Sequence, residues 1–318
     1  MHYDIFNGDA DGIISLVQLR LANPKESTLI TGVKRDISLL KHVDVAKAHS
    51  VTVLDISMEK NIEALNELLA NNVTVFYADH HRPGSIPTSD YLSAHIDTDA
   101  NTCTALIVNQ YLNQQFPLWA ITAAYGDNML DAAQALSDEL NLSTNERDQL
   151  KRFGIYINYN GYGSSLEDLH FTPEQLFSEL VKYSNPFDII NQPGSVFSQL
   201  EQAYHQDMAN AEQAKVLADT DVCKVIELPD EAWSRRVSGV LGNELANKTP
   251  NKAHAVFTLN LDNTYTVSLR APLTNKQGAG DICARFATGG GRAAAAGINQ
   301  LSAENVNAFV TAISDYYR

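Results

Sequence analysis

Long apolar stretches are missing from this 318-residue chain: no window reaches the ~18 consecutive apolar residues that a membrane helix needs. Cysteine is scarce too. The three present, Cys103, Cys223 and Cys283, show no CxxC spacing, and an odd number cannot all pair within one chain, which argues for reduced core residues rather than a disulfide framework. The start Met1-His2-Tyr3-Asp4 lacks the charged and apolar regions of a signal peptide, so a cytoplasmic location is the expectation. Basic charge is the third shortage. With 23 Lys and Arg against 38 Asp and Glu, the net charge is −15, and the chain repels polyanions at long range. A coat for long nucleic acid is excluded on that ground, and a phosphate-bearing substrate must be short and captured by local cations or a small basic pocket. No Ser-His-Asp order or GxSxG elbow appears, so covalent acyl chemistry has no support. There is no internal repeat and no low-complexity tail.

What is present is a folded composition, 44% hydrophobic and 19% charged, with length for about two domains. Tyr3 to Phe6 reads as a strand, and after Asn7-Gly8-Asp9-Ala10-Asp11-Gly12 the residues Ile13, Ile14, Leu16, Val17 and Leu19 follow helical spacing. The unit recurs: strand 51–54 ends at Asp55, helix 62–69 follows, and strand 73–77 ends at Asp79-His80-His81. Strands alternating with helices predict a doubly wound, mostly parallel α/β sheet. Helical patterns follow at 105–112 and 119–125, the second leading to Asp127, and Thr172 with Pro173 caps a short helix through Val181. The Gln- and Ala-rich stretch 196–218 reads as a long polar helix. The last third predicts a smaller α/β domain: strand 222–228, helix 237–246, a hairpin turning at Leu261-Asp262-Asn263, helix 281–287, a glycine run, a helix from about Ala293, and a final helix near 303–316. The expected division is 1–185, a helical linker 186–215, and 216–318.

Ligands in open α/β sheets bind outside the carboxyl ends of the strands. Three strands here end in acidic or imidazole groups, which lines Asp9, Asp11, Asp55, Asp79, His80 and His81 along one edge. That many carboxylates repel unless cations sit among them. Mixed carboxylate and imidazole donors suit Mn²⁺ or Mg²⁺ better than zinc. A calcium loop of the EF-hand type fails, because its twelfth position is Gln18. A dinucleotide fingerprint at Gly278-x-Gly280 fails as well, its sixth position being Cys283. In the glycine run, Gly289, Gly290 and Gly291 let backbone approach an anion, with Arg292 and Arg270 nearby in sequence pattern. Lys34-Arg35, Arg235-Arg236 and the segment 158–163 are weaker candidates for nucleotide contacts, each better read as solvated surface or turn.

The arrangement resembles the DHH phosphoesterase superfamily. Its motifs stand here as Asp9-Ala10-Asp11-Gly12, Asp55, Asp79-His80-His81, and Asp127 after Tyr125-Gly126. The C-terminal part is similar to the associated substrate-binding domain, on Ser268-Leu269-Arg270, Asp281-Ile282-Cys283-Ala284, Gly289-Gly290-Gly291-Arg292 and Ala295-Ala296-Gly297. The resemblance implies two Mn²⁺ or Mg²⁺ ions, one on Asp9 and Asp55 and the second on Asp11, Asp55, His80 and Asp127, with Asp79 orienting the site and His81 facing the scissile phosphate. Two positions depart from the usual pattern. Asn7 stands where many members carry a His ligand, so one ion would rest on weaker ligation or on Asn7 through water, and Arg292 replaces the last His of the glycine motif.

The activity implied is two-metal phosphodiester hydrolysis of short oligonucleotides or dinucleotides to 5′-mononucleotides, as in nanoRNase-like and RecJ-like exonuclease members. Arg270, Asp281, the glycine run and Arg292 would hold the substrate. Hydrolysis of a cyclic dinucleotide or of 3′-phosphoadenosine 5′-phosphate is the alternative, and a non-catalytic nucleotide sensor the second. Pyrophosphatase chemistry is disfavoured by the glycine motif, and assembly with further copies of the chain is left open.

Overall fold

The computed structural model describes residues 1–318. Two compact units divide the chain, Met1–Ala203 and Tyr204–Arg318. The first unit begins β1 (His2–Phe6), α1 (Ala10–Ala22), β2 (Thr28–Ile30), β3 (Ser50–Leu54), α2 (Ile62–Ala70), β4 (Thr74–Asp79) and β5 (Leu92–Ile96). All neighbouring strands are parallel, in the order β2-β1-β3-β4-β5. β2, three residues long, and β5, which alternates Leu92, Ala94 and Ile96 with Ser93 and His95, are strands that the sequence reading did not include.

β1 and β3 are buried on both faces after their first residue, as continuous apolar runs flanked by helices must be. On one face Ile5, Val51, Val53, Val75 and Tyr77 form a core with Leu65, Leu68 and Leu69 of α2. The register then sets the functional edge. Phe6 pairs with Leu54 and Leu54 with Ala78, so Asn7, Asp55 and Asp79 all stand one step past the last paired row. Two backbone bonds stitch that row, Asn7 N–H to the Leu54 carbonyl at 3.2 Å and Asp55 N–H to the Ala78 carbonyl at 3.1 Å. The order of strands reverses between β1 and β3, where this topology leaves a crevice for ligands.

The remaining helices of this unit are α3 (Thr104–Tyr111), α4 (Pro117–Gly126), α5 (Leu130–Glu139), α6 (Thr144–Asn160), α7 (Pro173–Leu180), α8 (Pro186–Ile190) and α9 (Val196–Ala211), the last containing the division between the units. α7 starts as its sequence indicates, Thr172 accepting from the Gln175 amide in a capping box ahead of Pro173. α4 is buried from Trp119 to Gly126 and packs against α6. A side chain at Gly154 would meet the Thr122 carbonyl at 2.0 Å, so glycine here lets the helices approach backbone to backbone and holds Asp127, the α4 C-cap, in place.

The second unit contains β6 (Lys215–Asp219), β7 (Cys223–Leu228), α10 (Ala232–Lys248), β8 (Ala253–Leu259), β9 (Thr264–Arg270), α11 (Ala279–Cys283), β10 (Gly289–Gly291), β11 (Ala295–Ser302) and α12 (Val306–Tyr317). Its sheet runs β10-β11-β9-β8-β7-β6, antiparallel except between β7 and β8. The 261–263 hairpin forms as expected, with Asn263 in the left-handed region at φ 62° and Asp262 accepting from Thr264. Three expectations need correcting. The helix read at 281–287 is α11, which starts at Ala279 and stops at Cys283, where the Arg285 and Phe286 amides close tight turns on the Ile282 and Cys283 carbonyls. The polar helix ends at Ala211 rather than 218, because Lys215–Asp219 pairs with β7 as an edge strand. The helix from Ala293 is instead strand β11, which pairs Ala295 with Arg270 and Gly291 with Ala296. Alanine is the strongest helix former, but intrinsic propensity amounts to less than about 1 kcal/mol per residue, and closing the sheet over Val267 and Leu269 outweighs it.

Candidate functional site

Asp9 caps α1, its Oδ1 accepting from the Asp11 and Gly12 amides at 3.0 and 3.1 Å. That cap turns Asp11 toward α3, where Thr104 N–H and Ala105 N–H each donate to its carboxylate at 2.7 Å. A helix N-terminus is a natural seat for a carboxylate. Asp55 takes a left-handed backbone, φ 57°, that turns the chain sharply after β3, and Thr104 Oγ1 donates to its Oδ1 at 3.3 Å. At the end of β4, Asp79 is fully buried and its Oδ1 holds His81 Nδ1 at 2.7 Å.

The imidazole of His80 organises the centre. Its Nδ1 donates to the Thr102 carbonyl at 3.0 Å, which turns Nε2 toward the carboxylates as the available ligand atom. Around Nε2 lie Asp55 Oδ1 at 3.5 Å, Asp11 Oδ2 at 3.9 Å and Asp127 Oδ2 at 3.9 Å. Octahedral donors about 2.1 Å from an ion stand about 3 Å apart when adjacent and about 4.2 Å when opposite, so these separations suit one enclosed hard cation. Ligand atoms of Asp55, His80 and His81 also lie within 4.8 Å of one another, but His81 Nδ1 is committed to Asp79. Two buried oxygens, Asn7 Oδ1 and Asp79 Oδ2, accept no hydrogen bond. The mixed carboxylate and imidazole donors around His80 Nε2 fit a divalent cation.

Lys34 enters the same cluster, with Nζ 2.5 Å from Asp9 Oδ2, 2.9 Å from Asn158 Oδ1 and 3.6 Å from Asp127 Oδ1. Electrostatics follow from these positions. Burial, then the Asp9 and Asp11 carboxylates, hold the Asp55 carboxyl well above its ordinary range. Burial raises Asp11 too, against the opposing pull of the His80 ring. In Asp9 burial is overcome by the Lys34 ammonium, and the carboxyl is held low. Burial would lower His81, yet its bond to Asp79 and the Asp55 charge raise it. Lys34 and Asn158 are site residues that sequence reading took for solvated surface and turn. No periodicity could have found them, since Asn158 is 124 residues from Lys34. Cavities of about 250 Å³ beside His95 and Tyr111, and about 520 Å³ among Glu174, Tyr183 and Gln192, are lined by none of these groups.

Within the second unit, Arg270 ends β9 and its guanidinium is well occupied. It donates to Asn243 Oδ1 at 2.6 Å, Ser268 Oγ at 3.0 Å, and the carbonyls of Gly239 and Leu269 at 3.2 and 3.3 Å. Gly289–Gly291 form edge strand β10, Arg292 lies exposed in the turn to β11, and Asp281 is exposed on α11. The amides of Gly289 and Arg292 donate to the carbonyls of Phe286 and Ala295, so no helix terminus presents amides here. Gly280 lies against this turn: a side chain on it would meet the Gly291 carbonyl at 2.7 Å and the Arg292 carbonyl at 3.1 Å. Gly291 has φ 144° and backs onto Ala296, whereas Gly290 faces open space.

Residues 220–318 match the DHHA1 domain family. Among curated proteins no sequence relative matches the chain. Solved structures share its fold along nearly the whole length. A DHH-domain protein described as a member of a family of ribosomal proteins superposes with a TM-score of 0.65 at 14% identity, covering 99% of this chain and 86% of that one. Exonuclease RecJ bound to manganese gives 0.58 at 16% identity, covering 99% and 89%. The pGpG-specific phosphodiesterase PggH from Vibrio cholerae gives 0.54 at 13% identity, covering 100% and 99%. No helix is long and apolar enough to cross a membrane. The family match thus shows a DHHA1 domain at residues 220–318, and the chain as a whole shares its α/β fold with these solved structures.

Proposed function

We propose that this protein is a divalent-metal-dependent phosphodiesterase that hydrolyses short oligonucleotides or linear dinucleotides to 5′-mononucleotides. The observation that carries the reading is the ring of Asp11, Asp55 and Asp127 around His80 Nε2, with Nδ1 fixed by a backbone carbonyl. Mn²⁺ or Mg²⁺ bound there supplies charge that polarises a phosphoryl oxygen and eases deprotonation of water. The chain's own groups do the rest. Asp79 holds the half-exposed His81 ring by Nδ1 and, with the Asp55 charge, favours its protonated form, whose Nε2–H can donate to a substrate oxygen. Asp55 Oδ1 presents its charge to both imidazoles, 3.5 Å from His80 Nε2 and 3.7 Å from His81 Nδ1. The solved likeness to an exonuclease and to a pGpG-specific phosphodiesterase supports a nucleotide substrate, and the charge of −15 favours a short one.

The DHHA1 unit contributes the anion-holding groups in this reading. Arg270 keeps one guanidinium N–H beyond its four internal bonds, Gly290 leaves open backbone, and Arg292 and Asp281 are exposed beside it in sequence and strand order. Arg270→Ala is expected to raise KM about tenfold and flatten the length preference. Melting temperature falls with it, because Asn243 and the Gly239 carbonyl lose their donor. Steady-state kinetics across oligonucleotide lengths check this, and an unaltered length profile would remove Arg270 from the substrate site.

The function itself is tested by a Mn²⁺ activity panel. Dinucleotides, longer oligomers, cyclic dinucleotides and 3′-phosphoadenosine 5′-phosphate are compared, and products identified. Turnover that is highest for linear dinucleotides and short oligomers, and yields 5′-mononucleotides, is expected. Exclusive turnover of a cyclic dinucleotide or of phosphoadenosine phosphate would move the substrate class, and binding without turnover would make the protein a sensor.

A further inference from the structure

We propose that the Lys34 ammonium takes the place of one of the two divalent ions the family resemblance implies, so that the centre holds a single exchangeable cation beside a built-in one. The inference rests on the metal-dependent reading above and concerns the number of ions within it. Its basis is the occupancy of Asp9. A carboxylate offers about four lone-pair positions. Oδ1 of Asp9 already accepts two amides and Oδ2 takes Lys34 Nζ at 2.5 Å. The other donors for an ion at that end are Asn7, a neutral amide where many relatives in the resemblance have His, and Asp55, which also serves His80 and Thr104. By contrast, Asp11, Asp55 and Asp127 crowd one imidazole nitrogen at the other end.

The ammonium is held by structure that belongs to it. Asn158 Oδ1 accepts from Nζ at 2.9 Å, Asp127 Oδ1 lies 3.6 Å away, and the Tyr162 ring lies 5.2 Å below. Its backbone is tied as well, Lys34 N–H donating to the Gly161 carbonyl at 2.9 Å and its carbonyl accepting from Asn7 Nδ2 at 3.2 Å. Glycines allow these segments to meet: a side chain on Gly8 would lie 1.9 Å from the Gly32 carbonyl, and one on Gly161 2.8 Å from the Gly8 carbonyl. The turn after β1, the loop before Lys34 and the end of α6 thus close backbone to backbone around one positive charge. A long surface lysine drawn in by acidic neighbours alone would need none of this scaffold, and would give up the rotamer freedom of its stem for it.

Mn²⁺ is the probe. The full chain is dialysed against Mn²⁺, bound metal is counted by elemental analysis, and electron paramagnetic resonance distinguishes an isolated ion from an exchange-coupled pair. The expected result is one Mn²⁺ per wild-type chain with the spectrum of an isolated ion, rising twofold with a coupled spectrum in Lys34→Ala and Lys34→Met. Two coupled ions in the wild type overturn the proposal whatever the variants do. So do folded variants that still bind one. A wild type that binds none overturns the metal-dependent reading as well, which separates the two failures.

Discussion

Asp55→Asn lowers Mn²⁺-dependent hydrolysis of a short oligonucleotide by about 10³-fold, on the scale of losing a principal electrostatic group at a reacting phosphate. The same variant is expected to be more stable than the parent in chelator, by about 0.5–2 kcal/mol. Both effects have one origin. Burial and the Asp9 and Asp11 carboxylates hold Asp55 well above its ordinary pKa, so its charge opposes folding and is retained for a cation. Asparagine is the right replacement because the backbone has φ 57°, a region that Asn tolerates and in which alanine adds about 1–2 kcal/mol of strain. Rates in Mn²⁺ and melting curves with chelator measure the pair. Unchanged turnover would remove Asp55 from the centre, and a lowered melting temperature would show that its charge is compensated within the protein.

The second large effect is on stability, at Asp4 in the middle of β1 and outside the carboxylate centre. Asp4 is fully buried, and its oxygens accept from Arg20 Nε at 2.8 Å, Arg20 Nη2, and Ser27 Oγ at 2.6 Å, with His2 Nε2 at 3.0 Å. Arg20 reaches Thr52 as well. Asp4→Ala strands a buried guanidinium and is expected to cost about 3–5 kcal/mol. Burial would raise the Asp4 carboxyl, but its bonds to His2 and Arg20 prevail and hold it well below the ordinary carboxylate range. A depressed folded pKa means the contribution is complete above the unfolded pKa of about 3.9 and is lost as pH falls below it. The gap in unfolding free energy between the wild type and Asp4→Ala should therefore be level from about pH 7 to 5 and narrow below about pH 4. Denaturant titrations across that range check it, and a gap independent of pH would show that Asp4 is held by packing rather than by charge.

Legibility differed between the two units for a physical reason. In the first, short apolar strands end in or are closely followed by Asp9, Asp55 and Asp79, and a parallel sheet places every strand's carboxyl end on one edge, so alternation alone brings them together. In the second, Gly289–Gly291 has no local preference for strand, and Ala293–Ala296 by itself prefers helix. Their strand state comes from pairing with Ser268, Leu269 and Arg270, contacts absent from any local window. The Ala211 end of α9 was hidden in the same way, by pairing of Lys215–Asp219 with β7.

From residue order alone come the alternation of strands and helices, the acidic and imidazole groups at strand ends, and the negative charge that favours a short substrate. These depend on near neighbours and on composition. Only the folded chain decides that His80 Nε2 meets three carboxylates, that Asp79 fixes His81, and that Lys34 lies against Asp9 and Asn158. Those contacts join residues many turns apart, and the register of β1, β3 and β4 together with the glycine contacts between loops brings them within a few ångströms.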